Sequence, residues 1–408
     1  MTKALYLHHS SAVGGAEKSM SELLSALAPK GIEAEVILPA EGPFAQLLRK
    51  SGVGVRTMPI PRLQKSINPM RLMSYCTSRK KLSEECMHVV ESGGAQLVHF
   101  NSLSVAVLFS EGLPEKVPTI LHLRDSIVPR IVFNKLSGDL TAYVAISGYM
   151  KRVLTDFLGV QQRKVASITN GLVLPDQVTP RQRELARRKL GLPPNAVIFL
   201  SAAAFVPWKN HISLLDAFRA TRSKVPNSLL ILCGEDIAGE NEVHRKKIIA
   251  TAQVIGPSVI MAGHVNNLRD YLQAADIFVH PAICEPFGRA VVEAQATGLP
   301  AIAYKSGGME EIIENEVTGL TCELEHKQFA EAMVRLAVDV KLRQAMGQAA
   351  PMIMKQKFTI ERAANQVYSL YEEILAGKFP APEAPLPPSQ KELSHLRRKP
   401  RTTKESQR

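Results

Sequence analysis

Cysteine is scarce in this chain and is spread too thinly to form a covalent or metal framework. The five cysteines are odd in number, and none stands in a CxxC or CxxH spacing. This distribution argues against a disulfide framework and a zinc site, and it favours a reducing compartment. Long apolar runs are also lacking, since no window approaches the roughly 18 uninterrupted apolar residues of a membrane span. We therefore expect no transmembrane helix.

The chain lacks the pattern of a secretory leader. It enters directly on Ala4-Leu5-Tyr6-Leu7, a first-strand pattern without the long apolar stretch of a signal peptide. Together with the cysteine usage, this pattern predicts a cytoplasmic protein.

Aromatic residues make up only 5% of the chain, and no stacking pattern interleaves the basic residues. Nucleic acid is therefore not an expected partner. Positive charge is abundant but uneven, with a net +7 in residues 1–172, zero in 173–377 and +5 in 378–408. Clusters such as Arg49-Lys50, Arg79-Lys80-Lys81 and Arg163-Lys164 suit phosphates or an anionic membrane surface, and each also fits a simply solvated surface.

Strand and helix patterns alternate along the chain, which predicts an α/β fold with parallel sheets and helices on both faces. Strands are predicted at 3–7, 34–38, 96–100, 117–123, 142–146 and 165–169, and then at 197–202, 228–233, 259–262, 277–281, 300–303 and 319–322. The clearest helices of the first half are predicted at 16–30 and 147–158.

A break at 171–183, where Pro175 and Pro180 interrupt the periodicity, divides the chain into two Rossmann-like halves. We predict an acceptor-side domain at 1–172 and a donor-side domain at 173–355, facing each other across a cleft that holds the ligand. The helix at 356–377 is predicted to return to the first domain. Residues 378–408 are Pro-rich and basic, and they predict a disordered tail.

The segment from Cys284 to Ala294 carries the most informative pattern. It follows a buried-strand pattern and runs into a helical one, with Glu285 in the loop and Glu293 one to two turns into the helix. Free N–H groups and the helix dipole make such a helix N-terminus favourable for an anion. An ordinary helix cap with acidic first-turn residues fits this local sequence as well.

Over about 370 residues, these patterns resemble the retaining glycosyltransferases of family 4, which have the two-domain GT-B fold. The resemblance rests on Gly14-Gly15-Ala16-Glu17, Val144-Ala145-Ile146-Ser147, Ile168-Thr169-Asn170-Gly171, Gly263-His264-Val265, Tyr271 to Asp276, Glu285-Pro286-Phe287-Gly288, Glu293-Ala294, Gly298-Leu299-Pro300, Gly307-Gly308 and Gly319-Leu320. The order and spacing of these motifs make the resemblance specific, although each motif alone is weak.

The resemblance implies roles for the two carboxylates and for a lysine. Glu285 would lie beside the donor sugar as a catalytic residue, accepting hydrogen bonds from hydroxyls and stabilising positive charge at the anomeric carbon. Glu293 would accept hydrogen bonds from the ribose. Lys209 matches the family's diphosphate-binding lysine, and such a cation stabilises the charge that develops on a departing diphosphate.

The resemblance implies further contacts to the donor. The diphosphate would be held by backbone amides at Gly14, Gly15, Phe287, Gly288 and Arg289. Gly308, Glu311 and the Arg289 side chain would line the phosphate or sugar region.

His122, at the end of a predicted strand, would be a second catalytic residue in contact with the sugar or its phosphate. His9 and His99 also end strands and are weaker candidates. Cys284 is not expected to act as a nucleophile, because the departing phosphate in such enzymes is thought to take the acceptor proton.

The sequence also departs from the family pattern. Ala203 and Ala204 stand where the family usually has Gly-Arg, and Val173 stands where it commonly has aspartate. The missing arginine removes one clamp on the diphosphate. No DxD pair occurs in the chain, so we expect neither a metal nor another cofactor.

These features together predict a metal-independent, retaining glycosyltransferase of the hexosyltransferase type. It would move a sugar from a nucleotide diphosphate sugar to a glycan or lipid-linked acceptor in surface polysaccharide biosynthesis, in the cytoplasm at the inner face of the membrane. Two alternatives stay open: a non-catalytic nucleotide-sugar-binding regulator, as the Ala203-Ala204 replacement allows, and a same-fold nucleotide-sugar epimerase.

Overall fold

The computed structural model describes residues 1–61, 69–109, 113, 116–124, 133, 140–236, 239, 241–265 and 267–379, without the side chains of 69–80. The chain divides into two compact units. The first comprises residues 1–169 with those from 364 onward, and the second comprises 170–363. The predicted tail lies, from residue 380, outside the described residues.

A seven-stranded parallel sheet forms the centre of the first unit, in the order β3-β2-β1-β4-β5-β6-β7. Its strands are β1 (Thr2–Leu7), β2 (Ile32–Leu38), β3 (Gly54–Thr57), β4 (Leu97–Phe100), β5 (Thr119–Leu123), β6 (Ala142–Ala145) and β7 (Val165–Ser167). Strand β3 was not predicted, because this four-residue edge strand is largely exposed and lacks a buried face.

The described α-helices of this unit are Gly15–Leu27, Pro43–Lys50, Pro69–Gly93, Leu103–Phe109 and Gly148–Arg152, and Ile360–Leu375 leads into it. In Gly15–Leu27, a stripe of Met20, Leu23, Leu24 and Leu27 is buried, at the spacing of one helix face. The predicted helix at 147–158 is a short α-helix capped by the Ser147 hydroxyl and continued by a π-helical turn, Val153–Phe157.

The second unit contains a six-stranded parallel sheet in the order β10-β9-β8-β11-β12-β13. Its strands are β8 (Val197–Ala202), β9 (Ser228–Cys233), β10 (Val259–Gly263), β11 (Ile277–His280), β12 (Ala301–Tyr304) and β13 (Gly319–Cys322). All six were predicted. One face of this sheet packs into a buried cluster that includes Phe199, Phe218 and Phe329.

The α-helices described in the second unit are Pro180–Lys189, His211–Lys224, Glu242–Ile255, Leu268–Ala274, Arg289–Ala296, Met309–Ile312, His326–Val338 and Val340–Lys357. Pro180, which interrupts the sequence periodicity, is the first residue of a helix. Its missing N–H costs nothing there, and the preceding Thr179 forms a capping box with Gln182.

In each sheet the strand order reverses once, between β1 and β4 and between β8 and β11. Ligands of open parallel sheets bind beyond the carboxyl ends of the strands at such points. A ligand site is therefore expected among the polar residues that follow these four strands. No helix within the described residues is long and apolar enough to cross a membrane.

Candidate active site

The loop after β11 carries Glu285, and the chain after β12 fixes its backbone. The amide of Gly308 donates to the Glu285 carbonyl at 2.8 Å, and the amide of Cys284 donates to the Ser306 hydroxyl at 2.7 Å. Gly307 has φ 67°, and a Cβ there would lie 2.1 Å from the Glu285 carbonyl oxygen. Only glycine fits this position, since both the conformation and the close approach exclude a side chain.

The Glu285 carboxylate is buried, with 6% of the residue exposed, and it has two partners. One carboxylate oxygen accepts hydrogen bonds from the Lys209 ammonium and, at 3.0 Å, from His280 Nε2. Burial raises the pKa of Glu285, but the charge of Lys209 and the bond from His280 outweigh it and bring that pKa to about 2. Glu285 is therefore a fixed anion.

His280 is the last residue of β11 and was not among the predicted site residues. It is 2% exposed, and burial lowers its pKa despite the hydrogen bond to Glu285. A neutral imidazole that donates from Nε2 carries its lone pair on Nδ1, and this buried atom has no partner among the described residues. His280 thus orients Glu285 without adding charge. Its position at a strand end was the available sequence signal.

Lys209 ends a 3₁₀ turn, Pro207–Lys209, that follows β8. Asn210 closes this turn in the left-handed region, with φ 58°. The Lys209 ammonium lies 4.0 Å from the centre of the Trp208 ring, and the Trp208 carbonyl accepts a bond from Ile283 at 2.9 Å. The cation is therefore held between an aromatic face and the Glu285 carboxylate.

The helix Arg289–Ala296 begins directly after Gly288, which has φ 108°. The amides of Val291 and Val292 both donate to the Gly288 carbonyl, at 2.9 and 3.3 Å, so the intrahelical bonds begin there. Phe287 packs against Phe358, with ring centres 5.8 Å apart. These contacts fix the helix N-terminus that the sequence analysis considered as an anion site.

Arg289 and Glu293, both predicted donor contacts, are paired with each other. Arg289 Nε donates to the Glu293 carboxylate at 2.8 Å, one helical turn along. Both side chains are partly exposed, and Glu311 is half-buried in the short helix Met309–Ile312. Gly308, expected at the donor, gives its amide to Glu285.

Where the family usually has Gly-Arg, this chain has Ala203 and Ala204, and Ala203 packs against backbone atoms. The Ala203 amide donates to the Cys233 carbonyl at 3.0 Å, and a Cβ on Gly234 would lie 1.9 Å from the Ala203 carbonyl oxygen. With alanine at both 203 and 204, Glu285 pairs with Lys209.

In the first unit, the Gly14-Gly15 loop is held by a buried carboxylate. The Gly14 amide donates to Glu17 Oε2 at 2.9 Å, and His8 Nε2 donates to Glu17 Oε1 at 2.7 Å. His8 Nδ1 in turn accepts from the Asn101 side-chain amide at 3.1 Å. Burial raises the pKa of Glu17, but these hydrogen bonds lower it below its ordinary value.

His122 lies in β5, one strand away from the reversal point of the first sheet. It is 2% exposed, and its Nδ1 is 3.2 Å from His99 Nε2 and 3.5 Å from an Arg124 nitrogen. Its Nε2 is buried and has no hydrogen-bond partner among the residues that the structure describes. Burial, followed by the charge of Arg124, lowers the pKa of His122 well below its ordinary value.

Of the predicted residues in the second unit, Lys209 and Gly308 each bond to Glu285. Arg289 and Glu293 form a pair on the helix that follows. Gly14, Gly15 and His122 belong to the carboxyl edge of the first sheet.

Two family models match the chain, one in each half. The model of "Glycosyltransferase Family 4" matches residues 13–174, and that of "Glycosyl transferases group 1" matches residues 182–352.

Among curated proteins, an α-1,3-galactosyltransferase of Escherichia coli named for UDP-Gal and α-D-GlcNAc-diphosphoundecaprenol is 23% identical over 90% of this chain and 95% of its own length. A lipopolysaccharide 1,2-N-acetylglucosaminetransferase of Salmonella typhimurium is 28% identical over 60% of this chain and 65% of its own. The structure of Anabaena HepE in complex with UDP-glucose superposes with a TM-score of 0.74 at 22% identity, covering 91% of this chain and all of that one.

The two parallel sheets and the family matches to both halves of the chain support the same assignment. The chain belongs to the GT-B-fold glycosyltransferases of family 4.

Proposed function

We propose that this glycosyltransferase moves a hexose from a nucleotide diphosphate sugar to a glycan or lipid-linked acceptor, with retention at the anomeric carbon and without a metal. The observation that carries the proposal is the contact of the partly buried Lys209 with the buried Glu285 and His280 at the reversal point of the second sheet. It combines a fixed anion, a cation and an orienting imidazole where such sheets bind ligands.

The charges in this group suit cleavage of a sugar–phosphate bond. Negative charge grows on the leaving diphosphate and positive charge grows at the anomeric carbon. Lys209 would stabilise the diphosphate, and the anionic Glu285 would face the sugar. A carboxylate with a pKa of about 2 stays ionised at every physiological pH, so it acts through charge and hydrogen bonding and not as a proton donor.

The helix N-terminus at Phe287, Gly288 and Arg289 would also stabilise the negative charge of the diphosphate. Its amides precede the first intrahelical bonds, so they can donate to phosphate oxygens. Glu293, one turn further along, would accept from the ribose after exchanging its bond with Arg289. Fixed N–H dipoles and Lys209 would then neutralise the diphosphate without a divalent ion.

The acceptor is proposed to be a lipid-linked or surface-glycan intermediate at the inner face of the membrane. The net +7 of residues 1–172 favours an anionic partner. The Escherichia coli and Salmonella relatives are named for a diphosphoundecaprenol-linked acceptor and for lipopolysaccharide. Co-sedimentation with phosphatidylglycerol vesicles, compared with phosphatidylcholine vesicles, tests the membrane contact. Equal pelleting with both would contradict a preference for an anionic membrane.

The donor is tested by thermal shift of the full chain with UDP-, GDP- and ADP-sugars, on the wild type and on Glu293→Ala. The Anabaena HepE complex with UDP-glucose makes UDP-sugars the first choice. We expect a stabilising shift with one nucleotide class that is reduced in the variant. A shift of equal size in Glu293→Ala would remove the ribose role of Glu293.

Mass spectrometry and anomeric NMR of the products separate the possible reactions. Transfer with a retained anomeric configuration, unaffected by a chelator, is the expected result. An isomerised donor formed without acceptor would indicate an epimerase. Donor binding with neither transfer nor hydrolysis would indicate a regulatory protein.

A further inference from the structure

Four buried side chains of the first unit form a continuous hydrogen-bonded series that ends at His122. The hydroxyl of Tyr6, in β1, bonds to the hydroxyl of Tyr371, in the helix Ile360–Leu375. The Tyr371 hydroxyl lies 2.6 Å from His99 Nδ1, and His99 Nε2 lies 3.2 Å from His122 Nδ1. Every member is at most 2% exposed. The C-terminal helix is thereby connected to a strand-end histidine 249 positions earlier in the chain.

All four groups are neutral near pH 7. Burial lowers the pKa of His99 to about 3 and that of His122 well below its ordinary value, and the nearby Arg124 lowers both further. Burial raises the pKa of both tyrosines, so their hydroxyl protons are retained. A neutral imidazole has one N–H and one lone pair, so each histidine must occupy one of two tautomers.

Arg124 favours one direction of donation along the series. A guanidinium can only donate, and one of its nitrogens lies 3.5 Å from His122 Nδ1, while its Nε donates to Asn101 at 2.9 Å. This long contact favours an acceptor at His122 Nδ1, with the proton of His122 on Nε2, but it is too weak to fix that tautomer alone. The nearer His99 Nε2, at 3.2 Å, then donates to the same acceptor.

The same direction of donation extends from His99 back to the tyrosines. Once His99 is protonated on Nε2, its Nδ1 must accept, and the Tyr371 hydroxyl is the donor at 2.6 Å. Tyr371 then accepts from Tyr6. The reverse direction would point a His122 Nδ1–H at a cationic guanidinium.

We propose that Tyr371 is a positioning residue that, through His99, holds His122 in the tautomer with its proton on Nε2. His122 then presents a neutral N–H donor from an atom that has no partner among the described residues. Such a donor suits a hydroxyl or phosphoryl oxygen of a bound sugar nucleotide, and this ligand assignment rests on the function proposed above. The tautomer itself does not depend on that function.

The experiment is proton–nitrogen correlation spectroscopy of isotope-labelled histidine in the full-length protein, without substrate. The signals are assigned with His99→Gln and His122→Gln. In the wild type we expect His99 and His122 both to be neutral and protonated on Nε2. A wild-type His122 protonated on Nδ1 would overturn the proposal without any variant.

Tyr371→Phe and Tyr6→Phe form a matched pair, since each removes one hydroxyl from the same buried contact. Tyr371→Phe leaves His99 Nδ1 without a donor, so we expect mixed tautomers at His99 and His122. Tyr6→Phe keeps the bond from Tyr371 to His99, so its spectrum should match the wild type. Identical tautomers in both variants would refute the role of Tyr371.

If sugar transfer is observed, kcat should fall about threefold to tenfold in Tyr371→Phe and not in Tyr6→Phe, since one neutral hydrogen bond loses its alignment. An equal fall in both variants would count against the proposal. Absence of transfer by the wild type, with the expected spectra intact, would count against the proposed function alone.

Discussion

The ammonium of Lys209 and the carboxylate of Glu285 form an ion pair in which Glu285 is buried and Lys209 is partly buried, although 76 positions separate them in the chain. Lys209 follows β8 and Glu285 follows β11, and these strands are neighbours only because the sheet order reverses between them. The fold therefore brings together a cation and an anion, and under the function proposed above a bound donor would contact both. The ion pair holds both side chains in place before a ligand arrives.

Replacing Glu285 by glutamine tests its charge without changing its shape. We expect kcat for sugar transfer to fall by about 10²–10³-fold, the usual effect of removing one preorganised electrostatic group. The matched control is Glu314→Gln, which removes a carboxylate that pairs with Lys357 on the surface and should leave kcat unchanged. Activity of Glu285→Gln within a factor of about three of wild type would contradict a role for this charge.

Stability measurements should show that Lys209 and Glu285 act as a unit. Lys209→Met leaves the buried Glu285 carboxylate without its cation, and Glu285→Gln leaves the partly buried Lys209 ammonium without its anion, so each should lower the free energy of unfolding, by up to about 3 kcal/mol. The double variant should recover most of that loss and remain inactive. Fluorescence of Trp208, the one tryptophan, reports urea unfolding of this unit. Simple addition of the two single effects would show that the pair is not coupled.

A methyl group at Gly307 should damage the site by collision. Gly307→Ala would place a Cβ 2.1 Å from the Glu285 carbonyl oxygen, which must move the loop. The matched control is Gly191→Ala, because Gly191 has a similar φ of 64° and no atom within 4 Å of the added carbon. Both variants carry the same left-handed strain of about 1–2 kcal/mol, but only Gly307→Ala should lose transfer activity. Equal kcat values would exclude the collision.

The sequence predicted the sheets because their strands are buried on both faces and therefore stand out as apolar runs. It missed β3, whose side chains are mostly exposed and whose pairing depends on β2. The pairing of an edge strand with its neighbour is a non-local contact, so local composition does not predict it. Periodicity also placed the helix boundaries within a few residues, as at Gly15–Leu27, where a 3₁₀ turn, Ala28–Lys30, completes the predicted segment.

The candidate site residues also differ in whether a local motif or a non-local contact reveals them. Glu285 and Lys209 were identifiable from motifs, whereas His280 was not, because its role depends on a 3.0 Å contact with Glu285. Tyr371 carried no motif at all. Its bond to His99 joins positions 272 residues apart and follows only from the packing of the last helix on the first sheet.

Buried histidines should make the protein lose stability in mildly acidic solution. Burial lowers the pKa of His99 and His211 to about 3, so between about pH 6.5 and 3 the unfolded chain binds protons that the folded chain does not. Their stabilising effect is complete above pH 6.5 and is lost as the pH falls, by up to about 1.4 kcal/mol per pH unit for each histidine. Urea unfolding at pH 7, 6 and 5, followed by Trp208 fluorescence, measures this slope for His211. The slope should flatten in His211→Gln but not in His264→Gln, which removes an exposed histidine of the same unit. An unchanged slope in His211→Gln would mean that this imidazole binds protons equally in the folded and the unfolded chain.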